Sequence, residues 1–352
     1  MAIYDNSTLN TSLTSLAFNH VLPGIIPIVV KKNGLLFEIL GKQESGSTPS
    51  GGPKFERMEI VSGTKFETTL MGVLPTISTV AAGSAEYAAA TMVYDSNTFG
   101  AATFDLCHYA HNHALPESEF DKIAGGDQKQ RESFVKLKAM AVQKGIEATL
   151  GTALSAASAP DATHPGGWCY AVSDAQTGTP DESSYGTYGT IDRTAAANAD
   201  YRGYVARSTG VLTITKIMSA RDNAVLAGGY PSVGVCNVTV FGNVRALVQG
   251  QAIITNSPRL SELGGEWFDV MGIRFHLDKY VGKDAGGTND QLGLIDPESW
   301  VYVQSASGLQ GEIIPPQQAR YLQAAGHIHV SLWSSFICKA PSHNAKLVGI
   351  TG

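Results

Sequence analysis

The polar positions between residues 128 and 156 fall on one helical stripe. Lys129, Glu132, Lys136, Gln143 and Glu147 recur at spacings of three, four and seven, and no proline interrupts the run from Gln128 to about Ala156. Phe134, Leu137, Ala141, Val142, Ile146, Ala148 and Leu150 spread over more than one of the remaining faces. Such a helix is expected to pack against its own domain and against something else as well. Asp127 and Gln130 stand where a capping box opens a helix. Ser158-Ala159-Pro160 closes it, because the residue before proline is pushed out of the helical region. At 1.5 Å per residue the span is about 40 Å.

Shorter patterns surround this helix. Leu35 to Leu40 reads as a short strand or helical turn, and Ser45 to Pro53 as a turn-rich linker. Lys54 to Ile60 and Thr64 to Leu70 mix apolar and charged residues at strand-like spacing, with Ala90 to Tyr94 as a returning partner. The stretch between, Met71 to Ala89, carries one charge, Glu86. A hairpin too polar for a core and too long for a turn is expected to project and lie on another subunit. Lys54, Glu56, Arg57, Glu59, Lys65 and Glu67 would then offer both signs of charge to that neighbour. Ala157 to Thr187 is loop-rich, Val211 to Leu226 predicts a second helix ended by Gly228-Gly229, and Gly234 to Val240 a buried strand. Strands are also expected over Trp267 to Asp278 with a turn at Gly272, over Gln291 to Gln304, and over His327 to Cys338 before a tail through Ile350. Gly282 to Gly287 reads as a flexible surface loop. Helix and strand interleave without a regular βαβ beat, which gives the α+β class.

Composition adds an assembly signal. The chain has 352 residues, enough for two cores, yet only 16% are charged and 38 are glycine. A surface so poor in charge sits either in a membrane or against copies of itself. The apolar run from Val21 to Val30 is broken by Pro23, Gly24 and Pro27 and is too short to span a bilayer. Met1 to Asn19 lacks the basic start and continuous apolar segment of a signal peptide, so folding in a cytoplasm is expected. Residues 1–33, rich in Asn, Thr and Ser, read as an extended arm ordered only against a neighbour. The net charge of −6 lacks the basic excess of a nucleic-acid grip, so any nucleic acid nearby would be enclosed rather than recognised.

Candidate chemistry is sparse. Cys107, Cys169, Cys236 and Cys338 show no paired spacing and read as reduced, buried thiols. The best metal-like cluster is Cys107-His108-Tyr109-Ala110-His111-Asn112-His113, with Glu117 and Glu119 close behind. On a strand, Cys107, His111 and His113 share a face with Tyr109, and His108 takes the other, so a closed site would need ligands from elsewhere. His327 and His329 form a second same-face pair. A metal-dependent enzyme built on His108, His111 and His113 is the reading that competes with an assembly role. Gly264-Gly265 and Gly286-Gly287 lack the spacing and lysine of a phosphate loop, and there is no nucleophile elbow. No catalytic residue, cofactor or metal is therefore expected.

Several pieces, taken in order, carry a resemblance. They are Phe104-Asp105-Leu106 and Leu115-Pro116-Glu117-Ser118-Glu119 before the long helix, and Gly189-Thr190-Ile191-Asp192-Arg193 after it. Gly272-Ile273-Arg274-Phe275-His276-Leu277-Asp278, Leu294-Ile295-Asp296-Pro297-Glu298-Ser299-Trp300 and Cys338-Lys339-Ala340-Pro341-Ser342 follow. Over nearly its whole length the chain resembles tailed-phage major capsid proteins of the Hong Kong 97 fold. The resemblance implies an N-terminal arm (1–33), an E-loop (54–100), a peripheral P domain (34–53, 101–205 and 306–352) holding the spine helix, and an axial A domain (206–305). It implies a shell of pentamers and hexamers in a virion, assembled in the host cytoplasm around double-stranded DNA, with scaffolding, portal and decoration proteins as further partners. Some relatives begin with a cleaved scaffolding segment; with the arm starting at residue 1, a fused scaffold is not expected. An encapsulin-like nanocompartment is the alternative of the same fold, although residues 1–33, with two prolines, do not read as a cargo-docking helix. Lysine–asparagine crosslinking is known in the fold; Lys54 and Lys65 lie in the hairpin, with no asparagine or acid to assign to them.

Overall fold

Residues 233–236, 290–295 and 345–350 are buried at every position, as strands covered on both faces must be, and the fold is arranged around them. The structure, a computed structural model, describes residues 34–47, 53–72, 99–116, 137, 141, 144–146, 148–207, 209–248, 267–307, 310–314 and 325–351. In chain order the first elements are α1 (Gly34–Leu40), β1 (Gln43–Ser47), β2 (Pro53–Phe55), β3 (Met58–Val61), β4 (Lys65–Met71), β5 (Phe99–Asp105) and β6 (Cys107–Pro116). Residues 137, 141, 144–146 and 148–154 are helical and are called α2. Then come the helical turn α3 (Trp168–Ala171), β7 (Thr187–Tyr188), β8 (Ile191–Asp192), β9 (Tyr204–Ala206), α4 (Ile214–Leu226), β10 (Val233–Cys236) and α5 (Val238–Val248). The rest is strand: β11 (Trp267–Val270), β12 (Ile273–Leu277), β13 (Asp290–Ile295), β14 (Trp300–Ser305), β15 (Gln310–Ile314), β16 (Ala325–Cys338) and β17 (Ala345–Ile350).

Two sheets organise these elements. One has six strands in the order β11-β12-β10-β13-β17-β9, with β10–β12 and β17–β9 parallel and the other pairs antiparallel. The other has five strands around β16, which pairs with β6, β14 and β15, while β3 joins β14 in parallel. Helices α4 and α5 cover one face of the six-stranded sheet, where Ile217, Ala220, Val240 and Phe241 meet Phe275, Leu292 and Leu347. The opposite face, with Val233, Val235 and Ile295, joins a larger core containing α1, the end of α2, Trp168 and Trp300. Each fully buried Leu, Val or Phe here contributes roughly 1.5–3 kcal/mol.

The mixed helix and sheet agree with the α+β expectation, and differences arise where tertiary contacts outweigh local preference. The second helix ends where expected, at Leu226, with Thr213 capping its start. Gly234 to Val240 does not continue as a strand: it stops at Cys236, and Val238 opens α5. Asn237 is the cause, since its Oδ1 accepts the Val240 N–H at 3.0 Å and so caps the helix against the β preference of Val-Thr-Val. Gln291 to Gln304 is two strands in two sheets, separated by a 3₁₀ turn at Pro297–Ser299. The tail after Pro341 ends in the wholly buried β17. Strand β4 pairs with Phe99–Asp105; the partner expected at 90–94, the hairpin tip at 73–89, the arm and the start of the long helix lie outside the described residues. Near its end α2 buries Leu150 and Leu154 and leaves Leu137 exposed. Met271 and Gly272 form the expected β11–β12 turn, both with positive φ (51° and 77°).

Candidate functional site

Two direct passages from one sheet to the other meet at one place, and most of the residues there come from the motifs singled out in the sequence. The chain passes from β13 to β14 through Asp296-Pro297-Glu298-Ser299, and from β16 to β17 through Lys339 to Asn344. Fully buried Asn344 joins the two passages. Its Oδ1 accepts from Asp296 N (2.9 Å) and Trp300 Nε1 (3.2 Å), and its Nδ2 donates to Ser299 Oγ (2.9 Å) and Ala340 O (3.0 Å). Every hydrogen-bonding atom of that amide is used, which makes the junction rigid rather than merely polar. Asp296 in turn caps the 3₁₀ turn through Glu298 N (3.1 Å) and accepts from Tyr230 N (3.2 Å).

The Gly189-Thr190-Ile191-Asp192-Arg193 motif lies beside this joint, where the preceding Tyr188 hydroxyl accepts the Cys338 N–H at 2.8 Å. Gly189 has φ +61°, and a Cβ there would approach Ala102 to 2.8 Å, so the β7–β8 turn needs glycine. The turn directs Arg193 inward, where its guanidinium donates to the carbonyls of Ala171 (2.8 Å), Tyr170 (3.1 Å) and Tyr185 (2.5 Å) and lies over the rings of Tyr170 and Tyr188. Burial pulls its pKa below the usual value for arginine. Beside it, Lys346 of β17 pairs with Glu182 at 2.8 Å, both about 1% exposed, and donates to Cys169 O at 2.7 Å. Ser173 Oγ donates to the other Glu182 oxygen at 2.7 Å. This buried pair holds the loop region before β7 to the last strand of the six-stranded sheet.

Strand β12 is held by two helices. Arg274 Nη1 donates to Glu38 Oε1 of α1 at 2.7 Å, and His276 Nε2 lies 3.7 Å from the same oxygen. Burial pushes the Glu38 carboxyl up, but His276 and Arg274 outweigh it and hold its pKa below 4.5. Just beyond β12, Asp278 Oδ2 accepts from Ser155 at the end of α2 (2.8 Å), and burial raises its pKa. Arg274, His276 and Asp278 all belong to the quoted Gly272–Asp278 motif.

Five of the six charged residues named for the proposed hairpin have partners within the chain. Lys54 pairs with Glu44 at 2.7 Å, Glu56 accepts from Lys42 N at 3.3 Å, and Arg57 donates to Glu38 O at 3.0 Å. Glu59 pairs with Lys339, and Lys65 lies 3.9 Å from Asp105 across the β4–β5 pair. Glu67 is exposed on β4 opposite Thr103. The foot of the hairpin is fixed at the junction, with Met71 N donating to Lys339 O (2.6 Å) and Ser342 Oγ to Gly72 O (3.2 Å).

The histidine cluster lies on β6, paired with β16 from Cys107 to Pro116. His108 is exposed and stacks on Trp333 at 4.3 Å, while Cys107 on the other face is buried. His111 and His113 pair in register with Val330 and Ile328, and Asn112 and Ala114 with His329 and His327; the side chains of all four histidines lie outside the described set. Among the described residues no group of three or more His, Cys, Asp or Glu could hold a metal. All four cysteines are buried and free. Burial pushes Cys107 up to about 11 and Cys169 and Cys338 to about 12, and raises Cys236 as well, so the thiols are neutral and unreactive. Among the described residues no helix is long and apolar enough to cross a membrane.

No protein-family model and no curated protein sequence matches the chain. Solved structures do. A chain of the cyanophage A-1(L) capsid asymmetric unit superposes with a TM-score of 0.53 at 12% identity, over 84% of this chain and 91% of that one. A chain of the capsid of the empty GTA particle superposes with 0.50 at 15% identity, over 82% and 86%. This chain has the fold of a phage capsid subunit, of the Hong Kong 97 type. On that capsid fold the Gly189–Arg193, Leu294–Trp300 and Cys338–Ser342 motifs form joints between elements. The residues that sequence reasoning missed are Glu182, Lys346 and Asn344; a lone lysine inside the apolar Ala345–Ile350 run was the available signal.

Proposed function

We propose that this chain is the major capsid protein that self-assembles into the icosahedral shell of a double-stranded DNA phage. The observation that carries the reading is the capsid-subunit fold over more than four fifths of the chain. A fully bonded buried junction and neutral, buried thiols also suit a rigid building block better than a catalyst. The subunit would form pentamers and hexamers, reside in the virion, and enclose DNA without reading its sequence, since its net charge is negative. Scaffolding, portal and decoration proteins would be its other partners. Residues 1–33 would serve as the arm and 54–100 as the E-loop, with Lys54, Glu56, Arg57, Glu59, Lys65 and Glu67 near the neighbouring subunit.

Expression of the chain alone, followed by electron microscopy and light scattering, tests this. Capsomers, shells or tubes are expected, and a stable, folded monomer at micromolar concentration would overturn it. Particles purified from their natural source should contain DNA. A protein cargo without a genome would favour the nanocompartment instead.

A further inference from the structure

Side chains alternate along β12, so Ile273 and Phe275 join the core under α4 and α5 while Arg274 and His276 take the other face, towards α1. On that face one guanidinium is shared: Arg274 Nη1 donates to Glu38 Oε1 at 2.7 Å, and its Nε lies 3.4 Å from Asp269 Oδ1. His276 is 4% exposed, and its buried Nε2 lies 3.7 Å from the same Glu38 oxygen, outside hydrogen-bond reach and with no partner. Nδ1 lies against the start of α1, where a Cβ on Gly34 would approach it to 2.4 Å. The backbone of α1 thus closes over the imidazole, and glycine is what allows it.

The charge on this face is unbalanced. Glu38 and Asp269 share Arg274, which leaves an excess negative charge that a protonated His276 would cancel. The remaining neighbours do not change that count. β11 places Trp267 opposite His276, and β10 places Val235. The neutral Cys236 thiol reaches only the His276 carbonyl, at 3.9 Å. Asp278 and Lys279, of opposite sign, follow the strand, and the described end of α2, residues 148–154, carries no charge. Leaving a buried ring nitrogen without a partner is costly, and a charge-assisted bond to a carboxylate is among the stronger hydrogen bonds.

This contact joins the two sheets. α1 packs on β14 of the five-stranded sheet, and Arg57, just before β3, donates to Glu38 O at 3.0 Å. Through its side chain the same Glu38 holds β12 of the six-stranded sheet.

We propose that His276 is an acid-strengthened clamp between the two sheets. Where histidine is neutral, Arg274 holds Glu38 without it. On acidification the imidazole gains a proton and a positive charge, Nε2 donates to Glu38 Oε1, and β12 is drawn tighter onto α1; histidine makes this change within the range where other side chains keep theirs. The gain is present below the histidine range, is lost above it, and ends when Glu38 itself is protonated, below 4.5. The clamp lies within one subunit and does not depend on the shell reading.

Histidine C2 hydrogen–deuterium exchange, followed by mass spectrometry across pH, reads the titration midpoint of His276 directly in subunits or particles. The midpoint is expected to be lower in Glu38→Gln than in the parent chain by about one unit, a roughly tenfold loss of proton affinity. Amide exchange of residues 34–42, corrected for intrinsic rates, should slow by about tenfold in the parent chain between about pH 7.5 and about pH 5.5, and should not slow in His276→Gln. Circular dichroism matching the parent chain shows that each variant folds, and if His276→Gln does not, the Glu38→Gln midpoint decides alone. A midpoint that Glu38→Gln leaves in place, or parent α1 amides that exchange faster in acid, would overturn the clamp.

Discussion

Lys346 sits in a strand that water does not reach, and its ammonium is tolerated only because Glu182 and the Cys169 carbonyl surround it. Removing one partner of such a pair leaves a buried charge alone, whereas removing both with apolar replacements can be nearly neutral. Lys346→Met is expected to cost about 3–5 kcal/mol, and the Glu182→Leu, Lys346→Met double variant to recover most of it, as read from urea unfolding midpoints. A single variant no worse than the double would show that the pair is not coupled. Glu38 makes the stability pH-dependent. Its folded pKa lies below 4.5, so its contribution is complete above the unfolded value and is lost as the pH falls through the folded one. Asp278, raised by burial, acts in the opposite sense: its ionised form destabilises the fold, and that cost is relieved as the pH falls through its raised value. Glu38→Gln should therefore lower stability at neutral pH, with the gap from the parent chain closing below about 4.5. A gap that stays constant into acid would mean that the carboxylate charge is not what binds Arg274 and His276.

At the scale of elements, a single amide separates β10 from α5. Asn237→Ala removes the cap and is expected to cost about 1 kcal/mol, with faster hydrogen exchange concentrated in the first turn of α5. Uniform loosening of the domain would instead point to the Asn237–Asp290 bond as the main effect. Strand β3 is tied into the five-stranded sheet, which limits how freely the charged segment after Pro53 projects. The Glu59–Lys339 ion pair is partly exposed and contributes under about 1 kcal/mol, and Glu56 is held only by an exposed hydrogen bond from the Lys42 backbone N–H. Reversing Glu56 and Glu59 to lysine should leave circular dichroism unchanged but lower particle yield or salt tolerance, because a shell repeats each weak contact many times. Loss of the subunit fold would place these residues in the domain interior and remove them from the proposed contact.

For the whole molecule, the arm gives a clean test, since among the described residues the sheets and junction are built from residues after 33. Deleting residues 1–33 should leave a folded subunit by circular dichroism and abolish or misdirect shell closure in micrographs. Normal closed particles from the truncated chain would rule out the arm as a strap. Local periodicity sufficed for α4, for the β11–β12 hairpin and for the mixed class, because helical and strand spacing are properties of neighbours in sequence. The quoted motifs were also visible in the sequence, though not what they do: Asp296, Arg193 and Arg274 were named without their partners. Those partners, Asn344, Tyr185 and Glu38, lie 48, 8 and 236 residues away. The same distance explains the misread segments. Val238 to Val240 favours a strand by its own preference, and only Asn237, held against Asp290 from another strand, turns it into a helix. Gln291 to Gln304 reads as one apolar run because burial looks the same in either sheet; which sheet each half joins depends on β17 and β16, chain segments that meet it only when the fold closes.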